Sequence, residues 1–352
     1  MRAGRRGVQA ALAAALLFGL ATPLAKLLLA GPDGTGVHPV ALAGLLYLGS
    51  GVGLFGWRRF RRLPAVRLPR GELVWLAGAI GCGGVAAPVL LMIGLTALSG
   101  SEASLLLNAE SVLTAVVAWV VFRENVDRRV GLGMLAIVSG AVVLSWPESG
   151  ATLGELMPSL LVVGACLLWA VDNNLTRRVS ASDATWLAMV KGLVAGVVNL
   201  GIAAIQGAAL PAAPQVAAAL LIGFLGYGVS LSLFVVGLRL LGTARTGAYF
   251  SIAPFAGAAV AIPLLGDPLS WRLVLAGALM GLGVWLHLTE RHDHTHRHTV
   301  LVHQHPHDHA DGHHIHDHDP GTAPGPHTHR HRHDPMTHDH PHTPDLHHRH
   351  PH

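Results

Sequence analysis

Glu110 stands eight residues into the apolar run 102–122, with Asn108 two positions before it. A charged group at that depth in a bilayer costs about 2.5–3.5 kcal/mol on insertion scales, so its presence points to use. Three uses fit: holding a cation, carrying a coupling proton, or a structural hydrogen bond to a neighbouring helix. Asp172 lies near the end of the run 155–176, and Lys191 lies seven residues into the run 184–206. Their similar depth allows an ion pair lining a cavity, one that would act as a gate. Alternatively, Lys191 snorkels to the nearer surface along its apolar stem. Asn173, Asn174 and Asn199 add hydrogen-bonding capacity near the same layer. Lys26 and His287 read as helix-end residues.

A second kind of chemistry is written into the last sixty or so residues. Segment 291–352 holds 23 of the chain's 25 histidines. His292, His294, His296 and His298 begin it, followed by His303, His305, His307 and His309, then His313, His314, His316 and His318. Further clusters run from His327 to His352, with Asp293, Asp308 and Asp317 interleaved. Imidazole suits Zn, Ni, Co and Cu, and ligands at every second position let a flexible chain wrap such an ion in many ways. The spacing matches neither a zinc finger nor a helical His-x-x-x-His pair. With so few apolar residues the tail is expected to be disordered. Solubilising low complexity, a metal buffer or sensor, and a pH-responsive tail remain alternatives. No other cofactor is required.

The elements that must position these residues are membrane helices. Of 352 residues 51% are hydrophobic and 12% charged, about half the charge of a soluble domain. Apolar runs fall at 8–29, 38–57, 72–96, 102–122, 130–146, 155–176, 184–206, 215–238, 244–264 and 271–289. Each is near the ~20 residues that cross ~30 Å of hydrocarbon as a helix. None alternates as a barrel strand does. The first run, after Arg5 and Arg6, is too long and too well followed by others to be a cleaved signal peptide. Sixteen arginines lie in the odd-numbered connections, counting the N-terminal segment, against Arg272 alone in the even ones. The positive-inside rule then places both termini in the cytoplasm of a bacterial-type inner membrane. Trp57, Trp75, Trp146 and Trp271 sit near run ends, as interfacial aromatics do. The arginines between helices say nothing of nucleic acid. Cys82 and Cys166, both inside runs, read as packing residues with no disulfide.

The chain also repeats itself. An offset of 143 pairs Gly83 with Gly226, Gly94 with Gly237, Leu98 with Leu241, Glu124 with Asp267, and Gly140 with Gly283. Five runs per half is an odd number, so the halves sit inverted. Such architectures place a solute site between the halves and alternate its access. The predicted organisation is an all-α membrane protein of ten transmembrane helices in two inverted five-helix repeats, 8–146 and 155–289, followed by the tail 291–352.

These residues resemble the EamA domain of the drug/metabolite transporter superfamily. The resemblance rests on Leu17–Lys26, Ala103–Glu124 and Ala244–Asp267, the last with Ser251-Ile-Ala-Pro254 in mid-helix. It covers 8–289 and implies a secondary transporter, often an exporter, and no enzyme. Two departures are visible. Ser111 stands where the second half has Pro254, so that helix lacks the proline kink; Leu45-Leu46 stand where relatives often carry an arginine. No Gly-x-x-x-x-Gly-Lys-Ser/Thr loop is present. The expected function is therefore ion-driven movement of a small solute, with Glu110 as the coupling or binding carboxylate. Export of a transition metal delivered by the tail, and a membrane-anchored metal sensor, are the alternatives. Gly277-Ala-Leu-Met-Gly281 offers a small-residue face for packing within the bundle or in a homodimer.

Overall fold

The computed structural model describes residues 2–31, 35–66, 68–122, 128–146, 152–179, 183–241 and 243–289, and four segments of the tail. The chain divides into a unit Met1–Glu290 and a unit Arg291–His352. The first is all-helical. Its helices are α1 (Arg2–Ala30), α2 (Pro39–Phe60), α3 (Arg70–Ala97), α4 (Gly100–Val121), α5 (Arg128–Ser145) and α6 (Leu153–Arg178). They continue with α7 (Ala184–Ile205), α8 (Ala213–Gly237, its last turn reaching Leu241), the broken α9, and α10 (Trp271–Leu288). Among the described residues nine of these are long and apolar enough to cross a membrane; α9 is divided into Thr243–Phe250 and Ala253–Leu265. Each expected run has its helix. The lateral surface is apolar, with Val120, Leu135 and Val197 each more than 60% exposed, which suits contact with lipid chains rather than water.

Short contacts between helix ends fix the directions. At one end Lys26 meets the last turn of α3, and Gln215 Nε2 at the start of α8 donates to Thr35 O, 2.8 Å. There too Ser101 N, at the start of α4, donates to Asp267 Oδ2 beyond α9, 2.7 Å, and Arg272 Nη1 donates to Trp146 O, 2.6 Å. At the other end Arg58 from α2 pairs with Asp183 before α7, and Arg129 Nη1 from α5 donates to Thr289 O after α10, 2.9 Å. Successive helices therefore alternate in direction, and the arginine-rich connections share one end.

Interruptions of the helices recur 143–144 residues apart. A π-helical segment, Ile80–Ala86, breaks α3, and another, Phe224–Val229, breaks α8. The fourth helix breaks between Gly100–Leu106 (α4a) and Ala109–Phe122 (α4b), and the ninth breaks at Ser251–Ile252. The break in α4 corrects the expectation drawn from Ser111. No proline is needed there, because Asn108 Nδ2 donates to Leu105 O (2.9 Å) and Ser111 Oγ donates to Asn108 O (2.8 Å). The same two carbonyls also accept from the backbone N–H groups of Asn108 (3.0 Å) and Ser111 (3.3 Å), so the side chains reinforce a locally tightened turn.

Glycines set the close packing. Gly51 and Gly192 let α2 and α7 touch backbone to backbone: a Cβ on Gly192 would come within 2.6 Å of Gly51 N. Gly133 and Gly283 do the same for α5 and α10, a Cβ on Gly133 meeting Gly283 O at 2.8 Å. The expected small-residue face is not where the helices come closest. A Cβ on Gly277 or Gly281 would meet only Leu105 or Phe255, at ordinary distances inside the bundle. Cys82 and Cys166 are free.

In the tail unit, Asp293–Arg297 (β1) pairs antiparallel with Thr337–Pro341 (β4), and Leu301–His307 (β2) with His327–His333 (β3). His294 and His296 lie in β1, and His303, His305 and His307 in β2. His292, His298, His309, His313, His314, His316 and His318 lie outside the described residues.

The Arg58–Asp183 clasp generates a pH prediction. Arg58 is buried; its Nη1 lies 2.9 Å from Asp183 Oδ2 and donates to Thr185 Oγ1 at 2.7 Å, while Nη2 donates to Pro64 O at 2.9 Å. Asp183 also caps α7, accepting from Thr185 N at 2.8 Å and Trp186 N at 3.1 Å. Partial burial raises its pKa, but the hydrogen bonds from Thr185, Arg58 and Trp186, with the guanidinium charge, outweigh that and lower it to about 2. An unfolded aspartate titrates near 3.9. The clasp thus contributes fully above about pH 4, and its contribution is lost as pH falls from there through about 2. Thermal unfolding in detergent across that window should show a steeper acid loss for the wild type than for Asp183→Asn.

Candidate functional site

Two polar layers occupy the bundle interior, and α6 supplies both through Asp172-Asn173-Asn174. The first layer surrounds a cavity of about 610 Å³. It is lined from the first family of helices by Phe18 of α1 and by Asn108, Glu110, Ser111 and Thr114 of α4. Asn173 and Asn174 of α6, Phe250, Ser251 and Pro254 of α9, and His287 of α10 complete the wall. Because His287, Leu288 and Asn174 lie near the ends of their helices, the cavity sits toward the arginine-bearing end. Glu110 is half-buried and accepts a hydrogen bond from Asn173 Nδ2 at 2.9 Å. It occupies the first turn of α4b, where the positive end of the helix dipole favours negative charge. The break in α4 therefore both exposes Glu110 to the cavity and makes its charge easier to hold. Thr114 Oγ1 is buried without a hydrogen-bond partner.

The second layer holds the ion pair. Lys191 Nζ lies 2.6 Å from Asp172 Oδ1 and 2.7 Å from Oδ2, and Thr176 Oγ1 donates to Oδ1 at 2.8 Å. The pair forms as the matching depths suggested, but it does not line the cavity, which corrects that expectation. It packs against Gly83 in the π-helical segment of α3, where a Cβ would collide with the Asp172 carboxylate. The same π turn frees carbonyls for other side chains. Tyr47 OH donates to Gly83 O at 2.7 Å, Trp169 Nε1 donates to it at 2.9 Å, and Asn199 Nδ2 donates to Gly84 O at 3.2 Å. Asn199 thus serves α3 rather than the cavity.

Lys26 also differs from a snorkelling helix-end residue. Its Nζ donates to Leu95 O at 2.7 Å and Thr96 O at 3.1 Å, capping the last turn of α3. His287, read as merely interfacial, lines the cavity while its Nε2 lies 3.1 Å from Val130 O. Sequence reasoning missed Tyr47, Trp169, Phe18, Phe250 and Thr114. Their one signal was position, level with the glycine-rich and broken segments. Among the described residues no group of three or more His, Cys, Asp or Glu is placed to hold a metal.

The ion pair is nearly dry, with side-chain exposures of 18% for Lys191 and 8% for Asp172. Removing one partner of such a pair strands a charge and costs about 3–5 kcal/mol, whereas removing both is often neutral. Lys191→Met should therefore destabilise the bundle strongly, and Asp172→Asn added to it should restore most of the loss. Unfolding free energies of the two single variants and the double variant close the cycle; additive losses would show the pair to be uncoupled.

Comparison with known proteins gives a consistent family. The EamA-like transporter family model matches twice, at residues 5–146 and 156–289. A protein of Methanothermobacter thermautotrophicus, described as an uncharacterized transporter, is 28% identical over 291 residues, covering 78% of this chain and 83% of its own. A solved crystal structure, described without a function, shares the fold with a TM-score of 0.58 at 18% identity, covering 82% of this chain and 96% of its own. With two tandem matches that take in nearly all of the helical unit, the chain belongs to the EamA-like transporter family.

Proposed function

We propose that this protein is an ion-driven secondary transporter, working as an exporter, that moves a small solute by alternating access between its two halves. The observation that carries the reading is the cavity. It is walled by helices from both family-matched segments, and Glu110, the one carboxylate lining it among the described residues, is joined to Asn173 across the boundary between them. The recurrence of π segments and helix breaks at one offset, in helices of alternating direction, supports an inverted repeat. In such repeats discontinuous helices near the midplane form the solute site. Asp172 and Lys191, pinned to α3, are the proposed gate: separating them lets α3 move relative to α6 and α7.

The arginine asymmetry supports a bacterial-type inner membrane with both termini in the cytoplasm. There the histidine tail would bind Zn, Ni, Co or Cu as an accessory. The core gives little support to metal as cargo, since among the described residues Glu110 and His287 are the metal-type ligands lining the cavity. A homodimer is compatible with this reading and nothing in it depends on one.

Two variants test these assignments. In reconstituted vesicles screened against a panel of metabolites and metals, Glu110→Gln should cut flux of the carried solute by more than about tenfold, the loss of roughly 1.4 kcal/mol of interaction. Unaltered flux would remove Glu110 from the site. A chain ending at Glu290 should keep solute flux while losing stoichiometric zinc or nickel binding by equilibrium dialysis. Loss of flux with the tail would instead favour metal delivery.

A further inference from the structure

We propose that the cavity selects solutes bearing one positive charge on an apolar body, an amphipathic ammonium compound. This deepens the transport reading above and rests on it for movement, though not for binding. The argument is an inventory of what the cavity wall offers. Among the described residues no Lys or Arg pairs with Glu110; Lys191 is taken by Asp172, and Lys26 by the carbonyls of α3. A carboxylate has room for about four hydrogen bonds, and Glu110 receives one, from Asn173. A carboxylate away from water is costly unless a cation or proton meets it.

Several polar side chains of the remaining wall donate to carbonyls of their own helix. Asn108 spends its amide on Leu105 O, Asn174 spends its amide on Ala170 O, and Ser111 spends its hydroxyl proton on Asn108 O. Each of these bonds spends a donor and leaves the side-chain oxygen able to accept, although Thr114 keeps a hydroxyl without a partner. A solute that brings donors complements Glu110 and these oxygens, and an ammonium group brings up to three with its charge. An anionic solute would meet Glu110 with no compensating cation. Among the described residues a transition metal would find two ligands of suitable type, Glu110 and His287, fewer than the three or four such ions take from proteins.

The rest of the wall calls for an apolar body. Phe18 and Phe250 lie 5.4 Å apart, centroid to centroid, and Leu107, Pro254, Val284 and Leu288 complete the apolar surface. Aromatic faces also attract cations when water is excluded.

The test uses three probes of one shape and three charges: phenethylammonium, phenethyl alcohol and 3-phenylpropionate. Each is titrated into the purified full-length protein and then offered to reconstituted vesicles. Phenethylammonium should bind at least about tenfold more tightly than the other two. Glu110→Gln, close to isosteric, should bring it level with the alcohol, and Glu110→Asp should keep the preference. Equal or tighter binding of the alcohol or the acid, no binding by any probe, or a charge preference that survives Glu110→Gln would each overturn the proposal. Charge-selective binding without flux would uphold it and count against transport. Flux of 3-phenylpropionate without flux of phenethylammonium would uphold transport and overturn the charge selection.

Discussion

A backbone carbonyl released from its helix inside hydrocarbon has no water to turn to, and each one left bare costs several kcal/mol. The architecture of this bundle follows from meeting that requirement where the helices are interrupted. At the π turn of α3, Gly83 O and Gly84 O are taken by Tyr47, Trp169 and Asn199, residues of α2, α6 and α7. At the break of α4, Asn108 and Ser111 close the gap from within the helix. Each interruption thereby ties its helix to neighbours or to itself by side chains that would otherwise be out of place at that depth.

Function grows out of the same requirement. An interrupted helix begins again inside the bundle, and the first turn of α4b carries Glu110 into the cavity. The glycine that permits the π turn of α3 also makes room for the Asp172 carboxylate. Polar groups serving structure and polar groups serving solute are thus adjacent, at Asp172 and Asn173, one residue apart on α6. A helix carries successive residues to different faces, so one packs toward α3 and α7 while the next meets α4. Movement of α6 would therefore be felt in both layers.

Glycine contacts give this arrangement its stiffness and its freedom. Where α2 meets α7, and α5 meets α10, backbones touch without intervening side chains. Such interfaces rely on close van der Waals packing, since apolar side chains gain nothing by leaving lipid for protein. They slide more readily than interlocked side chains would. Clasps at the two ends, Arg58–Asp183 and the Ser101 N–H to Asp267, join a buried group to a partly exposed carboxylate.

The amino-acid sequence by itself determined the number of apolar helices and their ends, because hydropathy and length answer directly to the thickness of the bilayer. It also marked Glu110, Asp172 and Lys191, since a charge within an apolar run is conspicuous in one dimension. Only the tertiary structure decided which of these share a space. Depth along the helix axis is legible from residue count, but rotation about that axis is lost at π turns and breaks, where the 3.6-residue period fails. For that reason the Asp172–Lys191 pair was expected to line a cavity, whereas it packs against α3. For the same reason His287, Phe18 and Thr114 carried no mark of the cavity they line. Ser111 in place of a proline meant no proline kink in α4. The helix breaks there without one, with the Asn108 and Ser111 side chains donating to carbonyls three residues back, whereas α9 resumes with Pro254 in its first turn.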